Sequence, residues 1–156
     1  MKSDRGHEKA TEAARKAAMA TLAAAPVETL RALCATLDMP QDVIFLRGPE
    51  TGLVTVRGRI GGGGAPFNFG EATVTRATVR LADGAIGHAY ALGRDREKAR
   101  LSAIADALWQ NPEHRLRVEE KLITPLRAAQ STADTKKRHE TAATRVDFFT
   151  MVRGED

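Results

Sequence analysis

Cysteine is nearly absent. Of 156 residues only Cys34 is a cysteine, which excludes an intramolecular disulfide and a thiolate zinc cluster; its apolar neighbours predict a packed thiol in a reducing compartment. Aromatic residues supply only 4% of the chain, so the core is expected to be aliphatic and rich in small side chains. No run of about 18 apolar residues occurs, and Met1 to Lys9 is charged without an apolar stretch. The expectation is a cytoplasmic protein with no membrane partner. The histidines, His7, His88, His114 and His139, form no pair at i, i+2 or i, i+4, so no metal site is expected. Ser3, Ser102 and Ser131 are the only serines, none in a nucleophile elbow, and a Ser-His-Asp triad has no support.

What is present is basic and of globular composition. A net charge of +4 and a pI near 9.6 favour an anionic partner, whether nucleic acid, a phosphorylated metabolite or an acidic protein surface. The period of the apolar residues predicts an α+β fold with a four-stranded antiparallel sheet flanked by helices. Glu8 to Ala25 is rich in Ala, Lys, Arg and Glu and reads as a helix. Pro26 opens a second, with Val27, Leu30, Leu33, Cys34 and Leu37 on one stripe. Val43–Leu46 and Leu53–Ile60 read as a hairpin turned by Gly48-Pro49-Glu50-Thr51-Gly52. Glu71–Leu81 and Ala85–Leu92 form a second hairpin through Asp83-Gly84. Apolar residues change phase between Val74 and Ala77, which predicts a bulge near Thr75 or Arg76. Asp95 caps a helix carrying Leu101, Ile104, Ala105 and Leu108. Asn111-Pro112 starts another, which Pro125 is expected to kink or end. Three parts follow: a frayed extension over 1–17, an α+β domain over 18–128, and a terminal arm over 129–156. From Gln130 to Thr144 the arm has no large apolar residue. Val146, Phe148, Phe149, Met151 and Val152 follow at once, a pattern suited to docking on a partner or to folding back on the chain's own sheet.

Three features could carry chemistry. The loop from Gly61, Gly62 and Gly64 to Gly70 suits either a hairpin turn presenting its backbone to a partner or a phosphate nest, although it lacks the Lys-Ser or Lys-Thr of a P-loop. His88 alternates with Ile86, Tyr90 and Leu92, so a core histidine is favoured over a general base. Arg57 and Arg59 on one strand and Arg76 and Arg80 on the next would line one side of the sheet if their faces coincide, as a solvated or interfacial surface or as an anion path. No catalytic residue is assigned.

Five stretches point to a family: Glu50-Thr51-Gly52-Leu53-Val54, Gly61-Gly62 with Pro66-Phe67, Gly70 to Ala77, Leu92-Gly93-Arg94-Asp95, and Arg145 to Glu155. In this order they resemble PhnG, a subunit of the bacterial carbon–phosphorus lyase system. The resemblance runs from about Ala18 to the end of the chain; the first 17 residues exceed the usual family start, and Gly63 stands where a small hydroxyl residue is common. It implies a non-catalytic subunit that acts with PhnI, PhnH and PhnL. Together these form alpha-D-ribose 1-methylphosphonate 5-triphosphate from MgATP and methylphosphonate, releasing adenine. It also implies a two-fold core with PhnI as the closest neighbour, together with PhnH, PhnJ and a second PhnG copy. MgATP is then a substrate of the complex, with no cofactor bound by this subunit. The rival readings are a stand-alone nucleic-acid or phosphate-binding module, suggested by Lys136-Lys137-Arg138, and an independent phosphotransferase or hydrolase using the glycine loop. The first lacks stacking aromatics among its basic residues, and the second lacks a nearby base or metal ligand.

Overall fold

The computed structural model describes residues 2–61 and 63–144. Helices α1 (Lys2–Ala24) and α2 (Val27–Cys34) precede strands β1 (Ile44–Arg59), β2 (Pro66–Arg80) and β3 (Ile86–Leu92). Helices α3 (Arg96–Gln110) and α4 (Pro112–Val118) follow, then a π-helical turn (Glu119–Ile123) and α5 (Thr124–Ala143). The expected caps are in place: Asp95 accepts from Lys98 N at 2.8 Å, and Asn111 accepts from Glu113 N at 2.9 Å. Pro125 neither ends the helix nor begins a separate one: the helical path runs through it, and the π turn Glu119–Ile123 just before it, closed by Thr124 N–H to Glu119 O, takes up the irregularity.

The sheet is three-stranded and antiparallel in the order β1-β2-β3, which corrects the four-stranded expectation. Gly48-Pro49-Glu50-Thr51-Gly52 does not turn the chain. It lies inside the 16-residue β1, where the pairing slips between Phe45 and Arg47 and again between Arg47 and Glu50. Each slip places an extra β1 residue opposite β2. Because β1 is an edge strand, Pro49 can lack its N–H and the surplus residues can bulge outward without breaking a central ladder. No bulge lies near Thr75 or Arg76 on β2, which pairs with β3 without a slip from Val74 to Arg80; opposite that stretch the surplus residues are on β1, and the extra residue of β2 is Phe69, between the pairs Val56–Gly70 and Arg57–Asn68. The phase change has another cause: Thr75 occupies a core position at 1% exposure. Its hydroxyl donates to Gly93 O at 2.7 Å and meets the Thr51 hydroxyl at 3.1 Å, so its polar atom is satisfied.

Helix α3 is buried along most of its length, Ala99 and Leu101 to Trp109 all being enclosed. The sheet covers one side, and α1, α2 and α4 cover others. Its contact with β3 is exceptionally close. A Cβ placed on Gly87 would lie 2.0 Å from Ala103 O and 2.5 Å from Ala107 N. The core-facing residues of β3 are accordingly Gly87, Ala89 and Ala91, and the large alternating residues Ile86, Tyr90 and Leu92 face away at 40%, 53% and 74% exposure. His88 shares that exposed face, so it is not a core histidine. Proximity to α3 has inverted the usual relation between side-chain size and burial.

The start of the outer edge of β3 is capped by side chains of the helical layer. Asp106, 2% exposed, accepts from His88 N at 2.8 Å, and Gln110 Nε2 donates to Ile86 O at 2.6 Å. Met19, Leu22 and Ala23 of α1 line a small cavity together with His88–Ala91. Cys34 packs in the core as expected, and burial pushes its thiol up to about 11. At pH 8 its reaction with a disulfide reagent should therefore run about two orders of magnitude below that of a free cysteine, and denaturant should restore the difference. Labelling at the free-cysteine rate in the native protein would show the packing to be wrong.

Candidate functional site

The sheet face opposite α3 has no described element over it. Cross-strand pairing arranges this face in rows: Leu92, Val74 and Gly52; Tyr90, Arg76 and Glu50; His88, Thr78 and Arg47; Ile86, Arg80 and Ile44. Glu50 sits between two arginines, its Oε1 accepting from Arg76 Nε at 2.7 Å and Arg47 Nη1 at 3.2 Å. Both bridges are half exposed, and each contributes at most about 1 kcal/mol while solvated. Thr78 Oγ1 and His88 Nδ1 are 3.2 Å apart. Arg80 makes no ion pair among the described residues. A shallow cleft of about 190 Å³ opens on β1 and its neighbours, lined among others by Thr51, Gly52, Val54, Val74, Arg76 and Tyr90.

The four sequence-predicted arginines do not share one side. The pairing from Glu50 to Val56 is unbroken, and β1 alternates strictly, so Arg57 and Arg59 stand with Thr51 and Thr55. Arg76 and Arg80 stand with Glu50 on the other side. Beyond the helices, β1 and β2 continue as a two-stranded ribbon closed by the glycine loop. Gly64 N donates to Ile60 O at 3.1 Å, and Arg59 Nη1 donates to Gly64 O at 3.3 Å. Gly61 has a φ of 61°, and a Cβ on Gly64 would lie 2.7 Å from Ile60 O, so both positions call for glycine. Gly62 lies outside the described residues, as do Val146, Phe148, Phe149, Met151 and Val152. The polar run before them is the exposed end of α5, where Lys136 meets Glu140 at 3.9 Å.

Sequence reasoning missed the best-built polar group. Arg15 of α1 holds Asp106 of α3 bidentately, Nε to Oδ1 at 2.9 Å and Nη2 to Oδ2 at 2.8 Å, within the stretch read as an extension. The hydrogen bond to Asp106 raises the Arg15 pKa further above its usual value. A single Asp among the apolar residues of α3 was the available signal; its partner, 91 positions away, gives none. The arrangement is structural, with both carboxylate oxygens occupied and the group beneath the edge of β3. Among the described residues, no three His, Cys, Asp or Glu side chains gather as a metal site.

Three of the five stretches that carry the family resemblance meet at the edge of the cleft. Glu50 pairs with Arg76, Thr51 with Thr75, and Thr75 with Gly93. A family model described as "Phosphonate metabolism protein PhnG" matches residues 13–154. The chain belongs to the PhnG family. A relative from Rhizobium meliloti (strain 1021), named alpha-D-ribose 1-methylphosphonate 5-triphosphate synthase subunit PhnG, is 55% identical over 144 residues, 92% of each chain. The PhnG match takes in Arg15 as well as Asp106, so the α1–α3 ion pair lies within the family region.

Proposed function

We propose that this chain is a non-catalytic, cytoplasmic subunit of a ribose 1-methylphosphonate 5-triphosphate synthase. It acts with PhnI, PhnH and PhnL on MgATP and methylphosphonate, with PhnI as its nearest neighbour and PhnJ and a second copy of itself in the same core. The subunit binds no cofactor of its own, and MgATP is a substrate of the assembly. The observation that carries the reading is the 55% identity, spread over 92% of both chains, to a protein named as a subunit of that synthase. The apolar, uncovered sheet face supports it, because a surface of this kind suits a subunit with neighbours.

The test is adenine release from ATP in the presence of methylphosphonate. The purified chain alone should release none, the mixture of subunits should release adenine and form the triphosphate, and omission of this chain should lower product formation at least about tenfold. Turnover by the chain alone, retained through further purification, would overturn the non-catalytic assignment. Equal product with and without it would overturn the subunit assignment.

A further inference from the structure

The uncovered sheet face continues along the β1–β2 ribbon as one apolar stripe. On the side of β1 that carries Glu50 stand Gly52, Val54, Val56 and Gly58, and Val54 faces Ala72 across the strands. The rings of Phe67 and Phe69 close the far end, 6.4 Å apart, and both would touch a Cβ on Gly58. Leu92 and Tyr90 close the near end. The opposite side of the ribbon carries Leu53, 62% exposed, followed by Thr55, Arg57 and Arg59, with Thr73, Glu71 and Asn68 across from them on β2, and is mainly polar. An antiparallel ribbon that alternates apolar and polar in this way is patterned for burial of one side. Yet Phe69 is 64% and Leu92 74% exposed. A two-stranded ribbon is also marginal in isolation.

We infer that this stripe, from Leu92 and Tyr90 through Val54 and Val56 to Phe67 and Phe69, with Val74 already buried beneath it at 4% exposure, is the docking face for a different protein chain of the same assembly. The partner surface it fits is apolar, with a carboxylate opposite Arg80. The inference rests on the subunit reading above and adds to it the surface that is used. Charge selects the occupant. Arg47, Arg76 and Arg80 against Glu50 leave the face at +2 by sequence, counting three positive and one negative side chain. A second copy brought face to face would present the same sign. Helix α5 packs against α1 and the π turn in the helical layer.

Tyr90 is the only tyrosine of the chain and lies on the stripe, 53% exposed, so its nitration reports on this face without any mutation. In the isolated chain Tyr90 should react freely. In the complex with the co-expressed synthase subunits it should react at least about tenfold more slowly. The double variant Phe69→Asp/Leu92→Asp should bind those subunits at least about thirtyfold more weakly, as expected when buried anchors are lost. Leu116→Asp, equally exposed but on α4, should bind within about twofold. Unchanged Tyr90 reactivity in the complex would overturn the inference while leaving the subunit reading intact. Protection of Tyr90 in the isolated chain that disappears on dilution would give the face to a second copy; protection lost on truncation after Thr144 would give it to the chain's own end. Either result overturns the proposal. Failure of the native chain to assemble with those subunits removes the subunit reading and this inference together.

Discussion

Replacing Gly87 by alanine should destabilise the protein by more than about 3 kcal/mol, and replacing it by valine should prevent soluble folding. The new methyl group would meet the backbone of α3 at Ala103 O and Ala107 N, at 2.0 and 2.5 Å, and the Ala107 methyl at 2.8 Å. None of these atoms is the end of a flexible side chain, so the helix itself has to lift from β3. Lifting it loosens the contact on which Ala89, Ala91, Ala103 and Ala107 are all buried. On a chain of this length the alanine variant should melt lower by on the order of 10 °C. Two other glycines separate the causes. Gly84, with a φ of 88° and nothing within 4 Å, should lose only about 1 to 2 kcal/mol as alanine, from left-handed backbone strain alone. Gly52 has neither restriction and should tolerate alanine within about 0.5 kcal/mol. Equal melting temperatures for the Gly87 and Gly52 variants would refute the close approach of α3.

Breaking the Arg15–Asp106 pair should have the next largest effect. Arg15→Ala leaves a buried carboxylate with only the His88 amide and the Gln110 side chain, at a cost of about 3 to 5 kcal/mol. Asp106→Ala removes that charge but strands the His88 N–H at the sheet edge and leaves Arg15, whose side chain is 31% exposed, to turn toward water. It should cost about 2 to 4 kcal/mol. The double variant should be far less destabilised than the sum of the singles, because each single penalty includes the partner left behind. Denaturant titration of the four proteins measures the coupling. Strict additivity would show that the two side chains do not share one interaction.

How far the sequence discloses this fold depends on whether each signal is local. The caps at Asp95 and Asn111 and the Asp83-Gly84 hairpin turn are set by neighbours within a few residues, and the structure has them where the sequence places them. Gly48-Pro49 carries the same local chemistry as a turn. Only the length of the pairing with β2 shows that it is a bulge on an edge strand. The face of β3 was misread because large apolar residues usually mark the core, whereas here α3 lies too close for any of them. That distance is a tertiary fact with one sequence trace, the small residues at positions 87, 89 and 91. Of the site, the arginines were legible as residues, but their division between the two faces follows from the register of β1. The family resemblance rested on short stretches far apart in the chain, and the fold explains three of them by bringing Glu50 to Arg76, Thr51 to Thr75 and Thr75 to Gly93.

The capping of β3 at its start by Asp106 and Gln110 limits how copies of this chain can associate through their backbones. A sheet with two open edges is a monomer for polymerisation, since each added molecule exposes a fresh end. With His88 N and Ile86 O already bonded to side chains, an incoming strand has to displace Asp106 and Gln110 to pair along the start of β3, and no such side chain is bonded along β1. Growth by this route is hindered beyond a pair. One aspartate and one glutamine thus hinder edge-to-edge pairing at the start of β3. Loss of either removes part of that hindrance.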